Sequence, residues 1–437
     1  MEVDYAIELS RHEHKPLQVN PIKHSQPMGA ALAFYGIRNC LPLMHAAQGC
    51  ASYTKVFFTR HFNEPIPMYS TSVSDITAVL DGGDYSILLS IENITKKNKF
   101  TPELIGLHTT GLTETKGDDV RGVGMHIEIP YCYVNTPDFE GGMESGWALT
   151  AKALIDQHTK PQSRIRTNKI LLLPHVSMQP LEVEKLKELC ESFGFETYAL
   201  PDLSTSMDGF FGEQQGKLAQ GGIGIDEIET LGNCATVISI GSSMKIAAEA
   251  LLEKNPHIRH LHFDHLMGQD MSDNFVGALM EIREIAPTPS VKRWRGRLQD
   301  AMLDTHFLIG SSRFVITGEP DMCVGIAELL QSVGGTIAAV VSTVYSPALE
   351  KIEAKKVFVG DLEDARADFK DADLVISNFH AERILHMDGQ SHAGLVLRGF
   401  PNYEELGNQL KNDQLYEGST YFLLEVANKL REVKHHG

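Results

Sequence analysis

Apolar residues along this chain come in short runs separated by stretches of helical periodicity, and the alternation repeats. Lys169–Leu173 (KILLL) is apolar on its last four positions and reads as a strand buried on both faces. Leu181–Phe193 carries apolar residues at helical spacing, Gly194 reads as its C-terminal cap, and Phe195–Leu200 reads as a second strand. The same order returns later: a strand at Arg313–Ile316, a helix near Cys323–Val333, the pair Gly334-Gly335, and a strand at Thr336–Val341. Strand, helix, strand is a βαβ unit whose two strands run parallel. Further strands are predicted at Leu41–His45, Ala235–Ile240, Lys356–Val359 and Asp373–Ile376, and an amphipathic helix at Tyr421–Arg431. The predicted fold class is α/β: three Rossmann-like domains, each a parallel sheet flanked by helices.

Two polar stretches punctuate this pattern. One spans residues 156–168 (DQHTKPQSRIRTN); the other is Ala286–Ser290 (APTPS), followed by the basic Lys292–Arg297. They predict domains at 1–160, 161–290 and 291–437, each of ordinary size. After a proline linker, the basic cluster reads as a solvated helix start.

Composition narrows the classes. With 42% hydrophobic and 22% charged residues the chain can bury ample core, which excludes a disordered protein. The net charge of −18 argues against a nucleic-acid surface or a polybasic membrane patch. No run of about 18 apolar residues exists, so no membrane span is expected. Met1–Tyr5 places two acids where a secretory signal needs bases, so a cytoplasmic location is expected. Asn93-Ile94-Thr95 matches a glycosylation acceptor, which without secretion is a chance match. Cys40, Cys50, Cys132, Cys190, Cys234 and Cys323 form no CxxC pair and no zinc spacing.

Nucleotide fingerprints fail. Gly222-Ile223-Gly224 lacks the third glycine of a dinucleotide loop, and the 212–217 segment (GEQQGK) has three intervening residues where a phosphate loop needs four. An NAD- or nucleotide-sugar-binding enzyme would rest on topology alone. Ser242-Ser243-Met244-Lys245 matches an SxxK pattern after a strand, without its companion motifs.

Cys50 stands out by placement. With Leu41–His45 a strand, Gln48-Gly49-Cys50 a turn and Ala51–Thr59 a helix, its thiol lies near the positive end of a helix dipole. That position lowers a thiol pKa and favours the thiolate, the form that binds iron. The competing reading is a small buried hydrophobe.

Several stretches resemble one family. Gln26-Pro27-Met28-Gly29-Ala30, His45–Cys50 (HAAQGC), Arg60–Pro65 (RHFNEP), His108–Asp119 (HTTGLTETKGDD) and Asn135–Phe139 (NTPDF) are similar to motifs of β-type subunits of the nitrogenase component 1 family. The likeness continues through Gln299–Phe307 and Glu319-Pro320-Asp321, so it covers nearly the whole chain. The Gly111–Thr115 form (GLTET) resembles that of the family's cofactor-maturation scaffold subunits.

In catalytic β-subunits three cysteines serve an eight-iron cluster. Here Ser25 stands where the cysteine before Gln-Pro would be, and Gly111 where the cysteine after Thr-Thr would be. The resemblance therefore implies a scaffold subunit, with Cys50 the single metal ligand this chain gives to a [4Fe–4S] cluster and three cysteines coming from the partner. It implies a homologous α-type (NifE-like) partner in an α2β2 heterotetramer, holding most of the iron–molybdenum cofactor precursor. Transient contacts with the nitrogenase iron protein and a cofactor-donor (NifB-like) protein follow, and no catalytic residue is assigned. The alternative is the β-type subunit of a catalytic nitrogenase-like reductase, relaying electrons through that one cluster.

Within the same resemblance, Ser74–Gly83 is like the region where the iron protein docks, with Leu80 in place of an aromatic residue. Of the histidines crowding the first segment (His12, His14, His24, His45, His61, His108), His45 is nearest the cluster loop and is a candidate donor for tuning its potential. The other five cysteines read as core.

Overall fold

A computed structural model describes residues 22–59, 67–73, 83–98, 101–212, 216–387, 392–402 and 404–436. The chain builds three sheets in succession, and every strand pair in them is parallel.

The first unit runs α1 (Gln26–Tyr35), β1 (Cys40–His45), α2 (Gln48–Phe58), β2 (Tyr69–Ser70), α3 (Asp84–Asn98), β3 (Leu104–Thr109), α4 (Gly111–Lys116), α5 (Val120–Gly124), β4 (Tyr131–Val134) and α6 (Met143–His158). Its strand order is β2-β1-β3-β4. The second unit contains β5 (Arg166–Leu173), α7 (Pro180–Ser192), β6 (Glu196–Ala199), α8 (Ile225–Glu229), β7 (Cys234–Ile240), α9 (Lys245–Lys254), β8 (Arg259–Phe263) and α10 (Gly268–Arg283), in the order β6-β5-β7-β8. The third follows α11 (Pro289–Gly310) with β9 (Arg313–Gly318), α12 (Pro320–Ser332), β10 (Thr336–Ser342), β11 (Val357–Val359), α13 (Leu362–Phe369), β12 (Leu374–Ser377), α14 (His380–Met387), β13 (Gly394–Leu397) and α15 (Leu415–His436). Its order is β11-β10-β9-β12-β13.

Local chemistry explains the punctuation. Pro180 opens α7 at the position where a missing N–H costs nothing, and the Glu182 carboxylate accepts from the Gln179 N–H at 2.7 Å. Gly194 (φ +80°) ends that helix, and the Phe195 N–H returns to the Cys190 carbonyl. Gly334 (φ +87°) closes α12 in the same way, with the Gly335 N–H on the Leu330 carbonyl. The two βαβ units read from the sequence thus stop for one reason. The 156–168 stretch is half ordered: α6 extends to His158 and β5 begins at Arg166, because polar residues there occupy a helix terminus and an exposed strand end.

The middle sheet joins its neighbours through its two faces. Leu171, Leu173 and Val237 pack into a core shared with α1 and α6, whereas Ile170, Leu172 and Ile238 pack into one shared with Phe314 and Ile316 of β9. Strand alternation divides them. Helices α1 and α6 cross at near backbone contact. A Cβ on Gly29 would lie 2.0 Å from the Met143 carbonyl oxygen, and one on Gly146 would lie 1.9 Å from the Gln26 carbonyl oxygen.

Candidate metal centre at the edge of the first sheet

Parallel strands all end at one edge, so the helices that follow start there and turn their unpaired N–H groups toward a common surface. In the first sheet that edge is assembled from the sequence motifs themselves. The Thr136 N–H donates to the Thr109 hydroxyl and the Thr136 hydroxyl to the Thr109 carbonyl, both at 2.9 Å. Thr109 in turn bonds the Glu114 carboxylate, which also receives Asn135 Nδ2. Thr110 and Thr113 donate their hydroxyls to the His45 carbonyl. The HTTGLTET and NTPDF segments therefore clamp the end of β1, from which α2 departs.

Cys50 is exposed, and every other cysteine is buried. The turn expected at Gln48-Gly49-Cys50 is already helix, capped by Ala47, so Cys50 occupies the third helical position. Two causes hold its thiol above the ordinary range, partial burial first and the Asp138 carboxylate second, against a smaller opposite pull from its own N–H. The expectation of a lowered pKa is thus corrected: partial burial first, and then a carboxylate that the sequence did not pair with the thiol, outweigh the helix terminus. Exposed apolar side chains stand on the same helix and on the segments after β3 and β4. Tyr53 and Val56 follow on the outer face of α2, Leu112 stands on α4, and Phe139 is 63% exposed on the loop after β4.

The two departures from the catalytic pattern have different structural standing. At Gly111 the N–H donates to Asp138 Oδ1 at 2.7 Å, and a Cβ there would lie 2.0 Å from that same oxygen and 2.9 Å from the Phe139 ring. The carboxylate fills the space a side chain at 111 would need. Ser25 is the N-cap of α1 and its hydroxyl makes no capping bond; its carbonyl accepts from the Met28 and Gly29 N–H groups. Among the described residues no three His, Cys, Asp or Glu side chains converge as a metal site.

Other candidates resolve into structural roles. His45 is fully buried, with Nδ1 on the Thr71 hydroxyl (2.8 Å) and Nε2 on Asp118 (2.9 Å), so both ring nitrogens are engaged away from the thiol. His24 and His108 are buried, and desolvation pushes each ring down to about 4. Ser243 of the SxxK match donates to Asp321 Oδ2 at 2.6 Å, and the Ser242 N–H donates to Asp321 Oδ1 at 2.8 Å. The pair caps a carboxylate of the third unit. Gly222 (φ +91°) sits where a Cβ would strike the Gly36 carbonyl, a backbone crossing rather than a phosphate cradle. Arg60–Pro65, His12, His14, His61, the 74–82 part of the expected docking segment with Leu80, and residues 213–215 of the GEQQGK stretch lie outside the described residues.

The sequence missed a buried junction where all three units meet. Glu144 at the start of α6 accepts from the Asp321 N–H at 3.2 Å, and Glu319 accepts from the Thr343 hydroxyl at 2.9 Å. Burial first, and repulsion from Asp321, raise both Glu144 and Glu319 above the ordinary carboxylate range. Only the EPD motif hinted at it; Glu144 belongs to no pattern a sequence displays.

The profile of the nitrogenase component 1 type oxidoreductases matches residues 25–431. The nitrogenase iron–molybdenum cofactor biosynthesis protein NifN of Rippkaea orientalis is 35% identical, covering 95% of this chain and 94% of its own. That of Bradyrhizobium diazoefficiens is 36% identical, with 95% and 90% covered. This chain belongs to the NifN branch of the nitrogenase component 1 family. A solved structure of nitrogenase Cp1 superposes with a TM-score of 0.88 at 26% identity, over 96% of this chain and 94% of that one. The NifN branch assignment and the parallel three-sheet fold thus agree with the expectation from the motifs. Among the described residues no helix is long and apolar enough to cross a membrane.

Proposed function

We propose that this chain is the β-type subunit of a cytoplasmic scaffold on which the nitrogenase iron–molybdenum cofactor precursor matures before transfer. It shares a [4Fe–4S] cluster with a homologous α-type (NifE-like) partner through Cys50, and that partner holds most of the precursor. The observation that carries the reading is the pairing of one exposed thiol with a blocked neighbour. Cys50 stands in an apolar rim that suits a subunit contact, while Asp138 occupies the place a second thiolate at 111 would take. A cluster needs about four thiolates, so the rest come from across the contact. Bound iron would displace the thiol proton, which a raised pKa delays but does not prevent. The nitrogenase iron protein and a NifB-like cofactor donor dock transiently.

The α2β2 arrangement finds support on α11. Leu303 (75% exposed) and Phe307 (84%) lie one turn apart, while the space beside Gly296 is open. Two copies of α11 running antiparallel would set Phe307 of each against Gly296 of the other, a self-complementary contact. Phe307→Glu should then yield αβ pairs by light scattering.

The deciding experiment is anaerobic co-purification with the α-type partner, comparing wild type with Cys50→Ala by iron content and EPR of the reduced complex. Loss of about four irons per αβ pair, with the cluster signal, is expected. An unchanged cluster would remove Cys50 from the site. Substrate turnover with the iron protein and ATP would favour the reductase reading instead.

A further inference from the structure

Asp138 does more than exclude a side chain at position 111. Its Oδ1 is fixed by the Gly111 N–H at 2.7 Å and lies 2.0 Å from where a Cβ at 111 would stand. In the catalytic pattern a thiolate to the cluster departs from that Cβ. On the shared-cluster reading, on which this inference rests, the carboxylate therefore sits among the groups that surround the iron. Asp138 is exposed in this chain, as Cys50 is, and its charge acts on the Cys50 sulfur.

Nothing on the page neutralises that charge. The second oxygen of Asp138 makes no hydrogen bond among the described residues, and no cationic side chain pairs with it there. Two lysines stand on the flanking helices. Lys116 of α4 pairs with Asp118 at 3.3 Å, and Lys55 of α2 lies more than a turn beyond Cys50, with no ion pair to Asp138.

An unpaired, fixed carboxylate opposes reduction of a neighbouring iron–sulfur cluster. One electron takes [4Fe–4S]2+ to [4Fe–4S]1+; it comes from the donor, and no bond forms or breaks. The added negative charge is repelled by the carboxylate, more strongly once a subunit contact excludes water. Net charge around a cluster is one of the levers that set its potential. We propose that the Asp138 carboxylate lowers the reduction potential of the shared cluster, so that only a strongly reducing donor fills it.

The test is a mediated redox titration, read by EPR of the reduced cluster in the complex co-purified with the α-type partner. Asp138→Asn removes the charge but keeps an oxygen for the Gly111 N–H, so iron content and the unfolding midpoint should stay as in wild type. Its reduction equilibrium should rise at least fivefold, roughly 40 mV for one electron at about 59 mV per tenfold. Asp138→Glu keeps the charge and should return most of the way to the wild-type potential. Glu140→Gln removes an exposed charge from the same loop and should shift the potential less than half as far as Asp138→Asn.

An unchanged potential in Asp138→Asn, or an equal shift in Glu140→Gln, would overturn the proposal. So would loss of iron from Asp138→Asn, because the residue would then hold the cluster rather than tune it. A wild-type complex without a shared cluster, or one that keeps it in Cys50→Ala, would sink the underlying reading and this proposal together. An unchanged potential in Asp138→Asn, with the cluster lost in Cys50→Ala, would sink the proposal alone.

Discussion

Two edges of parallel sheet in this molecule start from the same design and finish differently. At the first sheet, helix starts and motif loops leave Cys50 exposed in an apolar rim. At the second and third sheets, the corresponding loops meet each other: Ser242 and Ser243 close over Asp321, Glu144 reaches in from α6, and little is left for solvent. Parallel topology guarantees helix termini at an edge. Whether the edge becomes a site depends on whether another element of the same chain satisfies it. The buried junction is closed from within the subunit, although Glu319 Oε1 has no partner among the described residues. The Cys50 edge keeps a thiol and apolar area unused, which is what a shared contact needs.

The largest expected effect breaks the sealed edge. Asp321→Ala would strand the N–H groups of Ser242 and Ser243 and the Ser243 hydroxyl in a buried site, costing about 3 kcal/mol in a denaturant titration. Asp321→Asn should cost clearly less, since one amide oxygen still accepts.

Next comes the open edge. Gly111→Cys restores a thiol but forces its Cβ against Asp138, so a loss of about 2 kcal/mol is expected, with no gain in iron. Adding Asp138→Ala should recover part of that stability. If Gly111→Cys alone were as stable as wild type and bound extra iron, the blocking role of Asp138 would be wrong.

The pH response of the junction is smaller and has a definite sign. Burial raises the folded pKa of Glu319, so the native chain keeps a proton that the unfolded chain releases. That contribution is full below the ordinary carboxylate range and is lost as pH rises through the raised value. Glu319→Gln has no such loss, so its stability relative to wild type should grow with pH by at most about 1.4 kcal/mol per unit. The buried rings act oppositely. His24, His108 and His175 are pushed down to about 4 by burial, so their contribution is full above pH about 6.5 and fades as pH falls toward 4. Denaturation midpoints measured from pH 4 to 8 in both proteins separate the two.

The smallest effect on the chain itself sharpens the contrast most. Tyr53→Ser with Leu112→Ser removes exposed apolar surface from the Cys50 rim, so unfolding free energy should move by less than about 0.5 kcal/mol per site. Co-purification of the partner should nonetheless drop at least tenfold. Unchanged recovery would show that the rim is not the contact.

Much of this is legible in the sequence. The apolar run Ile170–Leu173 reads as a strand buried on both faces, and Gly194 and Gly334 mark helix ends because a left-handed residue there needs no Cβ. Cys50 was legible as well, through its motif and its place after a strand. What the pattern misjudged was its environment. The turn proved to be helix, and the thiol pKa was pushed up by partial burial and then by Asp138, a residue 88 positions away whose reach no local period encodes.

The sequence by itself determined the parallel α/β units and the helix stops, because these follow from periods of two and 3.6 and from the conformations glycine and proline allow, while Cys50 stood out through the family resemblance of its motif. Only the tertiary structure decided that Asp138 fills the space beside Gly111 and that Ser243 donates to Asp321 of the third unit. Each of these is a contact between residues far apart in the chain, where distance, burial and hydrogen-bond satisfaction are properties of packing.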